Sequence, residues 1–228
     1  MTSPSEKLAD VVVGDTARAR LLDGLGLDYC CGGDETLDHA CRRIGVEVAD
    51  VIAQFETAAV VDVHPDCSEM PPAELIAHLV GTHHEYLHSE LPDLERLAQR
   101  VLDEHGGRHP ELHDVNVLVR AVRDDLEPHL LKEERVLFPA ILELVAGPAE
   151  FPFGSITNPI KMMGIEHDRA GELLTRLRFA TGNYAVPDDA CASYRLLYQR
   201  LAELEHDTHL HIFEENHLLF PRAAALPR

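Results

Sequence analysis

Beyond residue 70 apolar residues recur every three or four positions, the mark of helices that bury one face. One stripe runs through Ala77, Val80, His84, Leu87, Leu91, Leu94, Ala98 and Val101, and a second through Val115, Leu118, Val122, Leu126, His129, Glu133, Leu137 and Ala140. A third carries Ile160, Met163, His167, Ala170, Leu174 and Leu177, and a fourth Tyr194, Leu197, Leu201, Leu204, Thr208, His211, Glu215 and Leu218. Proline and glycine mark the ends. The first segment opens at Pro71-Pro72 and stops at His105-Gly106-Gly107, and the second runs from residue 112 to Gly147-Pro148. The third opens at Asn158-Pro159 and ends at Gly182-Asn183, while the fourth follows Pro187-Asp188-Asp189 and ends near Pro221. Short connections between long helices predict antiparallel neighbours, hence an up-down-up-down four-helix bundle.

Upstream the pattern breaks into short pieces. Asp15 is placed to cap a helix over 16–23, which Gly24 and Gly26 interrupt; Thr36 caps another that Gly45 stops, and a further helix covers 48–59. The stretch from Val63 to Pro72 has the punctuation of a linker. The expected organisation is all-α: a small helical domain over 1–62, a linker over 63–70 and the bundle over 71–228.

Composition narrows the function. Forty acidic against twenty basic residues leave a formal charge of −20, a field that repels phosphate backbones and anionic lipid. Nucleic acid and membrane are therefore excluded as expected partners. No apolar run approaches a membrane span and the N-terminus lacks a signal peptide's basic start and apolar core, so a cytoplasmic location is expected. Five cysteines without a secretory signal do not read as a disulfide framework. Fifteen histidines stand out, and in an acidic chain they point to a metal held by imidazole and carboxylate.

The polar interruptions of the stripes sharpen that reading. Glu133 and Glu215 sit on apolar faces, where an unpaired carboxylate costs several kcal/mol. Each lies one turn after a histidine, in His129-x-x-x-Glu133 and His211-x-x-x-Glu215, and each pair leads into the same ending, Leu137-Phe138-Pro139 and Leu219-Phe220-Pro221. Counted from the connecting loops, His84 and His129 are level, as are His167 and His211, and Glu133 and His167. All four helices thus present a ligand at one height. Four histidines and two carboxylates suit two first-row ions, with about one open position each if both carboxylates and an oxo or hydroxo group bridge. His83 and His88 compete with His84, and His209 is a weaker candidate than His211. Glu166, beside His167 in the chain, reads either as an acceptor supporting a ligand or as an exposed residue, and His39, His64, His78, His109 and His217 as surface or capping residues. The vicinal pair Cys30-Cys31, beside Gly32-Gly33, reads as accessible free thiols able to bind metal or a sulfur species; Cys41, Cys67 and Cys191 carry no comparable signal.

These motifs together resemble the iron–sulfur cluster repair di-iron proteins, in which a short cysteine-motif domain precedes a hemerythrin-like bundle. The N-terminal marker is Leu27-Asp28-Tyr29-Cys30-Cys31-Gly32-Gly33; the others are His84 before Glu90-Leu91-Pro92, the two His-x-x-x-Glu motifs and Glu166-His167-Asp168. The resemblance implies a non-haem, oxo- and carboxylate-bridged pair of iron ions with His84, His129, His167 and His211 as terminal ligands and Glu133 and Glu215 as bridges. It implies repair of clusters damaged by nitrosative or oxidative stress, with Cys30 and Cys31 assisting in iron or cluster handling. Expected partners are damaged iron–sulfur proteins, nitric oxide or dioxygen as small ligands, and a second copy of the chain as a homodimer. Three mechanisms remain open at this point: delivery of iron from a labile centre, reduction of nitric oxide by an oxidoreductase, and gas binding without turnover.

Overall fold

The computed structural model describes residues 2–57 and 66–227. His64, the end of the helix expected over 48–59 and part of the expected linker lie outside them. Among the described residues eight helices are found and no strand. The first four are short: α1 Leu8–Gly14, α2 Arg18–Leu25, α3 Leu37–Ile44 and α4 Val48–Thr57. The last four are long: α5 over 72–105, α6 over 111–146, α7 Thr157–Ala180 and α8 over 192–224. Each long helix packs against two others, in the cycle α5, α6, α7, α8. No described helix is long and apolar enough to cross a membrane.

Local chemistry explains most of the boundaries. The Thr36 hydroxyl accepts from the His39 amide at the start of α3, and left-handed Gly26 and Gly45 end α2 and α3. The helix expected over 16–23 is α2, which begins at Arg18 and runs through Gly24, and an unexpected α1 precedes Asp15. A run of three valines in its second half hides α1 from propensity, and burial of Leu8, Val11 and Val12 supplies what propensity lacks.

Three of the four long helices widen into a π turn in mid-course: Val80–His84 in α5, Glu133–Leu137 in α6 and Glu214–Leu219 in α8. Pro139 and Pro221 come two residues after the last residue of two of these turns. A proline has no N–H for the carbonyl four residues back and its ring crowds that carbonyl, which the wider turn relieves. The insertion shifts register. Before the π turn of α5 the buried residues are Leu75, Ile76 and Leu79, while Ala77, expected on the stripe, is exposed and Val80 half-buried. Beyond it, Leu87, Leu91, Leu94, Ala98 and Val101 are buried as the stripe predicts.

Two apolar clusters result, with the polar stripe residues between them. One gathers Leu79, Leu137, Phe138, Ile141, Met163, Leu219 and Phe220; the other joins the remaining bundle to the N-terminal helices through Leu22, Tyr29, Leu37, Tyr198 and Phe213. The short helices dock on α8 through a buried polar knot. Asp23 accepts from His206 Nδ1 at 2.5 Å and His209 Nδ1 at 2.7 Å, and the Tyr29 ring meets Phe213 edge-on at 5.8 Å. Burial alone would raise the Asp23 pKa, but His209 and His206 overrule it and hold the carboxyl below its ordinary value. A depressed native pKa gives stability that is complete above the unfolded value and fades as pH falls through the native one. Asp23→Ala, which takes the shared carboxylate from buried His206 and half-buried His209, is expected to cost about 3 kcal/mol. It should also remove this acid-sensitive limb; urea denaturation at neutral and acid pH checks both, and an unchanged midpoint would show that Asp23 does not carry the docking.

Candidate metal centre

The six stripe residues meet at the centre of the bundle. His84 closes the π turn of α5, Glu133 opens that of α6 and Glu215 lies in that of α8; His129 and His211 stand one turn earlier, and His167 comes from the unbroken α7. All six are buried. The atoms fall into two groups, one of His84, Glu133, His211 and Glu215, the other of His129, Glu133, His167 and Glu215, with ligand atoms in each group within 4.8 Å of one another. Glu133 presents Oε2 to His84 Nε2 at 3.6 Å and to His211 Nε2 at 3.8 Å, and Oε1 to His129 Nε2 at 3.2 Å and His167 Nε2 at 3.9 Å. Glu215 mirrors it, with Oε1 3.4 Å from His211 Nε2 and Oε2 3.1 Å from His167 Nε2.

The outer nitrogens fix the rings. His84 Nδ1 donates to Glu134 at 3.0 Å, His129 Nδ1 to Glu166 at 3.0 Å and His167 Nδ1 to Asn216 Oδ1 at 2.9 Å. Glu166 is held in turn by Lys132 at 2.5 Å, and the His129 bond above all keeps its carboxyl at a pKa of about 2. Of the two sequence readings of Glu166, the acceptor is the one seen, and the ring it holds is His129. With Nδ1 protonated, Nε2 offers a lone pair, so three rings aim lone pairs at carboxylate oxygens. Both oxygens of Glu133 and of Glu215, with His129 Nε2 and His167 Nε2, make no hydrogen bond.

Electrostatics says the same. Burial and the adjacent Glu215 push the Glu133 carboxyl far above the ordinary range, and burial lowers His84 and takes His211 to about 3. Two dry carboxylates whose oxygens face imidazole nitrogens without a hydrogen bond are the arrangement a cation completes. The residues therefore fit a dinuclear metal centre with two carboxylates shared between the ions.

The cysteine motif lies against this centre. Asp28 Oδ1 accepts from the amides of Cys30 at 3.1 Å and Cys31 at 2.9 Å, turning the chain so that the two sulfurs lie 3.9 Å apart. Gly33 is obligatory: a Cβ there would sit 2.6 Å from both His217 Nε2 and the Tyr29 carbonyl. The Cys30 carbonyl accepts from Asn216 Nδ2 at 3.2 Å and His217 Nε2 at 3.0 Å. Asn216 thus joins His167 to the cysteine turn through the two ends of one amide. Cys31 lies beside Gly171, one turn beyond His167, on a cleft of about 660 Å³ lined also by Asp28, Asp168 and Glu172.

Several expectations are corrected. Cys30 is not accessible but 3% exposed in the core, and Cys31 alone is half-buried. His217 is not a surface residue, since it grips Cys30. His78 and His109 are also partly buried, His109 bridging Glu111 and Asp189, whereas His39 is exposed. His83 faces away from the six-residue cluster toward Asp207 at 2.9 Å, and His209 is taken by Asp23. The sequence motif includes Asn216 directly after Glu215 but gives it no role, which only its bonds to His167 and Cys30 reveal.

Comparison with known proteins agrees with this geometry. Residues 75–223 match the hemerythrin HHE cation binding domain, and residues 4–59 match ScdA_N, a domain of unknown function (DUF542). The chain is 32% identical over 225 residues to the iron-sulfur cluster repair protein YtfE of Salmonella schwarzengrund (strain CVM19633), covering 99% of both chains. The proteins of the same name from Salmonella paratyphi B and Salmonella newport are 31% identical over the same coverage.

Proposed function

The chain belongs to the hemerythrin HHE cation-binding family and, along nearly its whole length, to that of the iron–sulfur cluster repair proteins, and from this premise we propose that it repairs damaged iron–sulfur clusters by giving up iron from a di-iron centre. His84 and His211 would hold one ion, His129 and His167 the other, with Glu133 and Glu215 bridging. The observation that carries this is the pair of fully buried carboxylates whose four oxygens face four imidazole nitrogens and form no hydrogen bond. Bound there, iron supplies a redox-active pair with positions open to small ligands and a store that can be released.

The chain's own residues do the rest. Glu134, Glu166 and Asn216 hold the Nδ1 protons of His84, His129 and His167, so these three rings keep their Nε2 lone pairs inward. Each ion would be offered two imidazoles and two carboxylate oxygens by the chain, fewer donors than the six of an octahedral ion, which suits lability. Asp28 fixes the cysteine turn and Asn216 couples it to His167, so Cys31 stands on an acidic cleft beside the centre, where a cation leaving the bundle would meet a thiol. The partners of this reading are iron–sulfur proteins with incomplete clusters. The same open positions favour a second reading, in which nitric oxide or dioxygen is the ligand acted upon.

The test begins with metal content and an optical spectrum of purified protein and of His129→Ala. About two irons per chain with oxo-to-iron charge-transfer bands, both lost in the variant, are expected. Holoprotein carrying labelled iron is then mixed with a hydratase whose cluster nitric oxide has damaged. Label should move to the client as its activity returns; client recovery without label, or label that stays put, would overturn iron delivery. Consumption of nitric oxide by the reduced protein alone would favour the second reading.

A further inference from the structure

Two pairs of adjacent residues divide their labour. His84 and Glu215 point into the six-residue cluster, and their neighbours His83 and Glu214 point away from it, where the His83 ring stacks on His211 at 5.7 Å. On that outer side a second cluster assembles. Glu214 Oε2 lies 3.3 Å from His78 Nε2 and 3.7 Å from His83 Nε2, and the Cys67 thiol donates to Glu214 Oε1 at 3.5 Å. The ligand atoms of Cys67, His78 and Glu214 lie within 4.8 Å of one another. From these contacts we propose a third metal site, mononuclear and separate from the di-iron pair, in which Cys67, His78, His83 and Glu214 bind one divalent ion of borderline softness, zinc or ferrous iron.

Three features support it. The Glu214 side chain is 2% exposed, and its Oε2 faces His78 Nε2 with neither atom making a hydrogen bond. A buried carboxylate oxygen without a hydrogen bond, beside an imidazole nitrogen in the same condition, is the arrangement a cation completes. Second, both rings are oriented from behind, as metal-binding imidazoles are: His83 Nδ1 donates to Asp207 at 2.9 Å, and His78 Nδ1 meets the Thr82 hydroxyl at 3.2 Å. Third, the segment carrying Cys67 is clamped. Arg222 donates to the Ser68 and Met70 carbonyls, each at 2.5 Å, which holds the thiol against α8. One thiolate, two imidazoles and one carboxylate make a four-coordinate set of mixed softness, suited to zinc or ferrous iron and poorly suited to magnesium or calcium. His78, 11% exposed at its side chain, is the member nearest solvent and marks the side from which an ion would enter.

None of these four residues belongs to the di-iron set, so the two assignments stand or fall separately. The test uses anaerobically purified holoprotein. Metal analysis should find one equivalent of zinc or iron beyond the pair, and which element it is decides between the two ions. Cobalt(II) added to protein freed of that equivalent should give thiolate-to-cobalt charge transfer in the near ultraviolet with visible bands of tetrahedral intensity. Cys67→Ser should abolish the charge transfer, and His78→Ala should weaken cobalt binding about tenfold or more, both with the di-iron spectrum unchanged. His78→Ala serves alone if Cys67→Ser does not fold. No ion beyond the pair and no cobalt uptake, or charge transfer that persists in Cys67→Ser, would overturn the site. Absence of the iron pair itself would instead overturn the repair reading.

Discussion

Glu133→Ala is expected to reduce the iron content from about two per chain to one or none, with loss of the oxo-bridged spectrum. The reason is that Glu133 offers one oxygen to each half of the centre, to His84 and His211 through Oε2 and to His129 and His167 through Oε1. In the proposed centre a terminal ligand would serve one ion, whereas this carboxylate would serve both and screen each from the other. Stability should move in opposite directions with and without metal. In the apoprotein Glu133 is a fully buried carboxyl pressed against Glu215, a cost of several kcal/mol that the neutral isostere Glu133→Gln relieves. Thermal denaturation of metal-free protein should therefore show Glu133→Gln as stable as the parent or more so. With iron bound, the parent should be the more stable, because ligand binding to the native state adds to unfolding free energy. Two irons and an unchanged spectrum in Glu133→Ala would sink the bridging role, and an apo Glu133→Gln less stable than the parent would sink the argument from buried charge.

Much of this centre was legible before any coordinates. A single i to i+4 His–Glu pair is usually a solvated helix pair, but two on apolar stripes, with equal distances from the loops putting four such interruptions at one height, point to a ligand set. The π turns were not legible in the same way. A stripe is read on the assumption of 3.6 residues per turn, and each extra residue breaks that phase. Ala77 and Val80 lose their expected places to Leu75, Ile76 and Leu79 for this reason. The signal was nevertheless present: the repeated Leu-Phe-Pro after each His-x-x-x-Glu places a proline where a regular helix needs an N–H. The same insertion conceals the outer cluster. His78 and His83, five residues apart, are out of phase on a regular helix, yet the π turn of α5 brings their rings to 5.8 Å. Cys67 comes from another segment, and no spacing rule connects it to either. Nor does any local pattern announce that Asn216 and His217 will grip the Cys30 carbonyl, since that contact joins parts of the chain 186 and 187 residues apart.

That grip divides the vicinal cysteines into two unlike thiols, and Cys31 is expected to carry the reactivity. Cys30 packs among Leu27, Tyr29 and Leu37 at 3% exposure, with its carbonyl bound by Asn216 and His217. The neighbouring Cys31 sulfur first, and burial second, push the Cys30 thiol well above its ordinary pKa, so it stays protonated and a poor nucleophile. Cys31 opens on the acidic cleft beside α7. Alkylation of native holoprotein, followed by peptide mapping, should label Cys31 on the order of 100-fold faster than Cys30, because a buried thiol reacts only when its surroundings open. Cys31→Ala should impair iron transfer nearly as much as the double replacement, with the di-iron spectrum intact. Cys30→Ala should act differently, lowering the stability of the N-terminal docking while a folded fraction still transfers iron. Equal labelling of the two thiols would mean that the turn opens readily in solution. Loss of bundle iron in Cys31→Ala would make that thiol a ligand or a structural support of the centre, not a recipient beside it.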